Sequence, residues 1–231
     1  MLGTWRTEVS PVPFGRHIRL NILLDLDGTL TDPGPGIVGC IQYALAKLGR
    51  QVPDNDNLLH FIGPPLLDSL RDLLATTDPA HVEQALFFYR ERYSTVGLFE
   101  NQVYPGIPAA LKALRQRGAT LFVATSKPET YAQRIVEHFG LACCFQRVLG
   151  SELNGVRSDK ATLIAHILEQ EKLAPGDTVM VGDRSHDAVG ARANGIVPVG
   201  VLWGYGDEHE LTSAQCRILL RTPAELAHLV V

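Results

Sequence analysis

Short apolar runs alternate with helical patterns along most of the chain. Four nearly continuous apolar runs predict strands that are buried on both faces, at residues 20–24, 120–124, 178–181 and 198–202. Between them, apolar residues recur at i, i+3 and i+4, near residues 107–114, 135–139 and 163–168. Gly118 and Gly140 end the first two of these helices, and Asp159 is the expected N-cap of the third. This alternation predicts an α/β fold with a doubly wound parallel sheet.

One long stretch, residues 32–104, interrupts the alternation. It contains no strand pattern but three helical apolar faces, at residues 37–48, 66–74 and 85–89. A simple crossover between two strands does not need so many residues. We therefore expect an inserted all-helical cap at 32–104, over the C-terminal edge of the sheet. The α/β core would then comprise residues 1–31 and 105–231.

Composition restricts the class of protein. The chain has 231 residues, of which 45% are hydrophobic and 20% charged, enough to bury a core. Its 21 Lys and Arg against 25 Asp and Glu give a net charge of −4, which argues against a nucleic-acid binder. No run approaches the roughly 20 apolar residues of a membrane span. Residues 1–13 lack the pattern of a signal peptide and are expected to be an irregular lead-in.

The four cysteines predict neither a zinc site nor a disulfide framework. They are Cys40, Cys143, Cys144 and Cys216. A bond between the adjacent pair would be strained, and no spacing typical of zinc ligands occurs. Reduced, mostly buried thiols indicate a cytoplasmic protein.

Paired carboxylates follow two of the predicted strands. Asp25 and Asp27 come after the first, where residues two apart point to the same side, and Gly28 allows a tight turn. Asp183 and Asp187 come after the strand at 178–181. Parallel strands end at the same edge, so the four acids can line one pocket. Because such carboxylates repel each other, they require a proton or a cation, and oxygen ligands favour Mg²⁺.

The consecutive Ser185, His186 and Asp187 are not expected to form a hydrolase triad, because sequence neighbours rarely face one another in that geometry. Ser185 is instead predicted to be the N-cap of the following helix.

An anion cradle is expected after the strand at 120–124. A hydroxyl and backbone N–H groups come from Thr125 and Ser126, and Pro128 suits the first position of a helix. Lys127 and Lys160 can bring positive charge to the same edge. Phosphate is the ligand that uses a metal, amides, a hydroxyl and an ammonium group together.

These motifs resemble a known family. Asp25-x-Asp27-Gly28-Thr29, Thr125-Ser126-Lys127, Lys160 and Gly182-Asp183-x-x-x-Asp187 are similar, in the same order, to the four motifs of the haloacid dehalogenase-like hydrolase superfamily. The resemblance covers residues 20–202. Residues 61–66 and 103–107 are similar to the phosphoglycolate phosphatase-like branch, which has a small helical cap.

The resemblance implies a role for each motif. Asp25 would be the nucleophile that forms an aspartyl-phosphate, and Asp27 the general acid and base. Phosphate-binding residues would be Gly28, Thr125, Ser126 and Lys160. The Mg²⁺ ligands would be Asp25, Asp27 through its backbone carbonyl, and Asp183, with Asp187 supporting them. Asp27 argues for phosphate esters, because family members that cleave carbon–halogen bonds lack an acid there.

The substrate is left open by the sequence. Phosphoglycolate is the default, because a cap arginine could pair with its carboxylate. Possible substrate contacts are Gly63, Arg71, Arg90, Arg92 and Lys127, the last of which could instead pack at the rim. A 5′-nucleotide, a sugar phosphate, pyrophosphate, a phosphomutase reaction and a non-catalytic binding protein are alternatives. Phosphonate cleavage is disfavoured, because Lys47 is the only lysine of the cap. A monomer and a homodimer are both compatible with the sequence.

A second motif, G-x-G-x-x-G at residues 34–39, is typical of dinucleotide binding. It begins well after the first strand, beyond an acidic segment that would repel a pyrophosphate, and Pro35 lacks an N–H. We expect it to be a flexible hinge into the cap instead of a nicotinamide cofactor site.

Overall fold

Six parallel strands form the central sheet of the computed structural model, which describes residues 20–230. The expectations for residues 1–13 lie outside this range. The strands of the chain are β1 Asn21–Leu24, β2 Thr31–Asp32, β3 Gln102–Val103, β4 Thr120–Pro128, β5 Arg147–Ser151, β6 Thr178–Gly182, β7 Val197–Val201 and β8 Ile218–Leu220. The order in the sheet is β5-β4-β1-β6-β7-β8, so β1 lies between β4 and β6. The four predicted strands are confirmed.

Helices cover both faces of this sheet. The α-helices of residues 20–230 are α1 Gly34–Lys47, α2 Leu66–Leu74, α3 Pro79–Arg92, α4 Ile107–Gln116, α5 Glu129–His138, α6 Lys160–Glu171, α7 Ser185–Ala193 and α8 Glu208–Ser213, of which α1 to α3 belong to the insertion. Alternate residues of β1 point to opposite faces: Ile22 and Leu24 pack in the cluster that includes α4 and α5, and Leu23 packs in the cluster with α6. The doubly wound α/β fold is therefore confirmed.

Of the two predicted helix N-caps, one is confirmed and one is wrong. Asp159 caps α6, since its carboxylate accepts a hydrogen bond from the Thr162 N–H at 2.9 Å. Ser185 is not the N-cap of α7: it is the first helical residue, and Arg184 precedes it. The Asp187 carboxylate accepts the Arg184 N–H at 3.2 Å, so the bond at this helix start comes from the third residue of the helix.

The insertion is framed by two short strands that the sequence did not predict. β2 and β3 pair in an antiparallel ladder, with Thr31 opposite Val103 and Asp32 opposite Gln102. Each strand has only two residues, too few to show an alternating pattern. The helices between these strands, α1 to α3 with the short helical segments Asn55–Phe61 and Tyr93–Gly97, are called the cap below.

The glycines at residues 34–39 do not form a hinge. They lie within α1, and Gly36 packs against the backbone of the cap: a Cβ there would lie 2.1 Å from the Gly97 carbonyl oxygen. Glycine at this position allows two backbone segments to approach each other, which corrects the expectation of a flexible segment.

The four cysteines are free thiols, but the expectation that most are buried holds only for Cys40 and Cys216: Cys144 is half-buried and Cys143 is exposed. Across residues 20–230, no helix is both long enough and apolar enough to cross a bilayer.

Candidate active site

Three carboxylates meet at the C-terminal edge of the sheet. Asp25 follows β1, and its N–H donates to the Val181 carbonyl oxygen of β6 at 2.9 Å, which aligns the ends of the two strands. Asp183 follows β6, and Asp187 lies in the first turn of α7. Carboxylate oxygens of Asp25, Asp183 and Asp187 lie within 4.8 Å of one another, and all three residues are buried.

Burial and mutual repulsion make this cluster suitable for a cation. Burial, together with the negative charges of Asp187 and Asp25, raises the pKa of Asp183 to about 8. Burial also raises the pKa of Asp187, and the nearby Lys160 opposes this effect, so the pKa of Asp187 is about 6. A bound cation would remove this strain by compensating the charge. Three buried oxygen donors fit a hard divalent ion such as Mg²⁺.

One ammonium group balances part of the charge. Nζ of Lys160, at the start of α6, lies 2.8 Å from Oδ1 of Asp25 and 2.7 Å from Oδ1 of Asp187. It also donates a hydrogen bond to the Ala124 carbonyl oxygen at 2.8 Å. Burial lowers the pKa of Lys160, but the charges of Asp187 and Asp25 outweigh this effect, so the pKa lies above its usual value.

Asp27 has a separate partner. Nζ of Lys127 lies 2.9 Å from Oδ2 of Asp27, and both side chains are buried. Oδ1 of Asp27 is buried and has no hydrogen-bond partner among the described residues. Burial raises the pKa of Asp27, whereas Lys127 lowers it. The Asp27 carboxylate is not part of the three-carboxylate cluster. Lys127 is thus a buried partner of Asp27 instead of a residue packed at the rim.

The predicted anion cradle lies beside these acids. Thr125 is buried in β4, and its hydroxyl accepts the Lys127 N–H at 3.3 Å. Thr125 and Ser126 both line the cavity that contains Asp25 and Asp27. Pro128 precedes α5 as its N-cap, one position earlier than expected.

Gly28 has a steric role in the same cluster. Its φ is +80°, and a Cβ at this position would lie 2.2 Å from Oδ2 of Asp183. Only glycine allows this turn and this close approach.

A loop after β7 completes the surroundings of Asp183, and the sequence analysis missed it. The Tyr205 N–H donates to Oδ2 of Asp183 at 2.8 Å, and the Thr29 hydroxyl donates to Oδ1 at 3.3 Å. The Tyr205 hydroxyl contacts Asp32, at the base of the cap. A Cβ at Gly204 would lie 2.3 Å from the Gly28 carbonyl oxygen. The glycines of this loop are therefore the feature of the sequence from which its close approach to Gly28 could have been predicted.

The cavity above the acids is lined by both core and cap. Three tyrosine rings meet in its wall: Tyr89 and Tyr93 of the cap stack with ring centroids 5.2 Å apart, and Tyr93 meets Tyr131 of α5 edge to face. The remaining cap residues in its wall are Ile37, Phe61, Gly63, Pro64, Pro65, Leu66, Leu67, Leu86 and Arg90.

The candidate arginines differ in their positions. Arg90 lines the cavity, and its guanidinium donates to the Leu153 carbonyl oxygen. Arg71 lies on the surface, where it pairs with Asp68 at 2.6 Å, and it is not part of the cavity wall. Arg92 pairs with Glu100 at 2.6 Å and also lies outside the wall.

Comparison with known proteins places this site in a family. The family of haloacid dehalogenase-like hydrolases matches residues 22–201, most of the chain. The chain belongs to this family. Its relatives, which include a 5′-nucleotidase and a predicted phosphatase, indicate that it is a phosphoric monoester hydrolase.

Several relatives of this haloacid dehalogenase-like hydrolase have names that describe an activity. A 5′-nucleotidase of Pseudomonas aeruginosa is 49% identical over 195 residues, which cover 84% of this chain and 88% of that protein. The tyrosine-protein kinase PtkA of Mycobacterium tuberculosis is 44% identical over 185 residues, 80% of this chain but only 62% of the kinase. A phosphoglycolate phosphatase of Pseudomonas putida is 26% identical over 190 residues, 80% of this chain and 70% of that protein.

The same fold occurs in solved structures of haloacid dehalogenase-like hydrolases. The crystal structure of a predicted phosphatase from Clostridium acetobutylicum has a TM-score of 0.87 and 38% sequence identity, covering 91% of this chain and 97% of that chain.

Proposed function

We propose that the protein hydrolyses a small phosphate monoester in a Mg²⁺-dependent reaction that passes through an aspartyl-phosphate on Asp25. One observation carries the proposal: carboxylate oxygens of Asp25, Asp183 and Asp187 lie within 4.8 Å of one another, and Nζ of Lys160 lies 2.8 Å from Asp25. In such a cluster one carboxylate can attack phosphorus while the others hold a cation.

The metal would be held by Asp25, Asp183 and the backbone carbonyl of Asp27, with Asp187 supporting these ligands. When bound, Mg²⁺ neutralises negative charge shared by the carboxylates and the phosphoryl group. Thr125, the N–H of Ser126 and Lys160 are the protein groups that would hold the phosphoryl oxygens.

In the first step, a carboxylate oxygen of Asp25 forms a bond to phosphorus, and the bond between phosphorus and the ester oxygen breaks. Asp27 gives its proton to that ester oxygen, which leaves as an alcohol. Burial raises the pKa of Asp27, which favours the protonated form that this step requires.

In the second step, Asp27 takes a proton from water while the water oxygen bonds to phosphorus. The bond between phosphorus and Asp25 breaks, which releases phosphate and restores the carboxylate. Asp27 ends this step protonated, ready for the next cycle.

The cavity wall favours a substrate with an aromatic leaving group. Phe61 and Tyr89 of the cap and Tyr131 of α5 line the cavity, together with aliphatic side chains. A nucleobase can stack on such rings, and each stacking contact stabilises binding by about 1–3 kcal/mol in other nucleotide-binding sites. A nucleoside 5′-monophosphate is therefore the substrate class that we propose, in agreement with the name of the 49% identical relative.

Phosphoglycolate is the second candidate substrate, because Arg90 lines the cavity and could pair with its carboxylate. Measurement of kcat/KM for phosphoglycolate and for a panel of nucleoside 5′-monophosphates separates the two candidates. We expect higher values for the nucleotides. A higher value for phosphoglycolate would assign the leaving-group site to Arg90 instead of the aromatic wall.

The reaction itself is tested with Asp25→Asn. Wild-type protein should hydrolyse p-nitrophenyl phosphate with Mg²⁺ and lose this activity with EDTA, and Asp25→Asn should be inactive while folded. Asp72→Asn is the matched control, since Asp72 is exposed on α2. Activity of Asp25→Asn equal to that of the control would contradict the proposed nucleophile.

A further inference from the structure

We infer that Tyr93, a cap residue, positions Lys127 against Asp27 and thereby helps the protein to expel poor leaving groups. This inference rests on the proposed function, in which Asp27 protonates the ester oxygen. It adds a contribution of the cap to the reaction, beyond the shaping of the cavity.

A buried chain of three side chains connects cap and core. Tyr93 begins the helical segment Tyr93–Gly97 of the cap and is buried. The ammonium of Lys127 donates a hydrogen bond to the Tyr93 hydroxyl, and Nζ lies 4.7 Å from the centroid of the same ring. The same Nζ lies 2.9 Å from Oδ2 of Asp27.

Tyr93 restricts where the flexible lysine side chain can place its charge. The four-carbon stem of a lysine has many rotamers, so an ammonium stays at one position only where fixed partners hold it. The Tyr93 ring is itself fixed, because it stacks on Tyr89 at 5.2 Å and meets Tyr131 at 5.4 Å between centroids. Lys127 is thereby held between a rigid aromatic cluster and the carboxylate of Asp27.

This arrangement makes the two oxygens of Asp27 different. Oδ2 is occupied by Lys127, whereas Oδ1 is buried without a hydrogen-bond partner among residues 20–230. Oδ1 is therefore the oxygen left to hold the proton and to deliver it. Negative charge develops on Asp27 as the proton leaves, and an ammonium already in place stabilises this charge without reorganisation.

The contribution of Tyr93 depends on the leaving group. An alkoxide, such as the 5′-oxygen of a nucleoside, leaves slowly unless an acid protonates it, whereas p-nitrophenolate is a stable anion that needs little protonation. Loss of the Tyr93 hydroxyl should therefore slow the hydrolysis of an alkyl ester far more than that of p-nitrophenyl phosphate. If Tyr93 had only a structural role, its loss would slow the hydrolysis of both substrates equally.

The test compares kcat/KM for uridine 5′-monophosphate and p-nitrophenyl phosphate in wild type, Tyr93→Phe, Lys127→Met and the double variant, because kcat/KM covers only the steps up to loss of the leaving group. Tyr93→Phe should lower kcat/KM for the nucleotide about tenfold, and at least five times more than kcat/KM for the aryl ester. In the Lys127→Met background the same substitution should have no further selective effect, because Tyr93 acts through Lys127. Thermal unfolding of each variant measures its stability.

Tyr43→Phe is the matched control. Tyr43 is another cap tyrosine, and its hydroxyl contacts Glu91 at the surface at 3.2 Å. Equal slowing of both substrates by Tyr93→Phe, or selective slowing that persists in Lys127→Met, would overturn the inference while leaving the phosphatase proposal intact. A wild-type protein that hydrolyses neither ester with Mg²⁺ would overturn the proposed function and this inference together.

Discussion

The ammonium of Lys160 lies 2.8 Å from Oδ1 of Asp25, and both side chains are buried. The contact joins the start of α6 to the end of β1, so the ion pair fixes the position of the proposed nucleophile relative to α6. The same ammonium contacts Asp187 at 2.7 Å, which makes Lys160 the main internal cation of the carboxylate cluster.

Replacement of Lys160 should affect both stability and activity. Lys160→Met leaves buried carboxylates without their cation, and removal of one partner of a buried ion pair costs roughly 3–5 kcal/mol. We expect a loss of this size in the free energy of unfolding at pH 8 in EDTA. We also expect kcat to fall at least a hundredfold, because a group that stabilises developing charge is lost. Urea unfolding and steady-state kinetics measure the two effects.

Lys112→Met provides the matched control, because Lys112 is exposed on α4. Unfolding of Lys160→Met at the same urea concentration as this control would show that the ion pair contributes nothing to stability.

The cluster should also make Mg²⁺ binding depend on pH. The raised pKa of Asp183, about 8 against an ordinary 3.8, means that its protonated form is favoured in the folded protein. Its contribution to stability is thus complete below about pH 3.8 and is lost as the pH rises through about 8. Because Mg²⁺ competes with this proton, the increase in Tm caused by Mg²⁺ should be larger at pH 8 than at pH 6.

Asp183→Asn tests separately the effect of Asp183 ionisation on stability and the stabilisation by Mg²⁺. Asparagine cannot ionise, so the Tm of the variant minus that of wild type, both in EDTA, should increase from pH 6 to pH 9. The variant should also lose the increase in Tm caused by Mg²⁺. A stabilisation by Mg²⁺ that is equal at both pH values, or that survives in Asp183→Asn, would contradict the assignment of this cluster.

A pair of glycines tests the packing of the cap. In Gly36→Ala the new Cβ would lie 2.1 Å from the Gly97 carbonyl oxygen, and backbone must move to relieve this clash. Overpacking of this kind destabilises proteins by about 1–3 kcal/mol, more than the helix propensity gained. In Gly39→Ala the nearest atom is the Arg92 Nη1 at 3.2 Å, the end of a side chain that can move. Thermal unfolding should therefore show a clearly lower Tm for Gly36→Ala but not for Gly39→Ala. Equal Tm values for the two variants would indicate that Gly36 is not closely packed.

Much of the fold could be predicted because the central strands are buried on both faces. β1 and β6 lie inside the sheet, and their nearly continuous apolar runs are typical of such strands. β5 and β8, the two edge strands, were missed for different reasons: β5 begins with the exposed, polar Arg147, which interrupts its apolar pattern, and β8 is apolar but has only three residues.

The proximity of Asp25, Asp183 and Asp187 could be predicted for a topological reason, since parallel strands end at one edge of the sheet. The contact between Tyr93 and Lys127, the partner of Asp27, could not be predicted. Tyr93 lies 34 residues before Lys127 in the chain, and its aromatic neighbours are typical of an ordinary core helix. The position of the cap over the sheet brings these residues together, and no local pattern encodes that position.

The central claim is that the phosphoryl group is transferred to the carboxylate of Asp25 before it reaches water. Acid-quenched single turnovers test this claim most directly. Wild-type protein with Mg²⁺ is mixed with p-nitrophenyl phosphate, quenched in acid within the turnover time, digested and analysed by mass spectrometry. The account predicts one phosphoryl group on the peptide that contains Asp25, and no phosphorylated peptide from Asp25→Asn. Turnover without any phosphorylated peptide, or with the phosphoryl group on another residue, would contradict it.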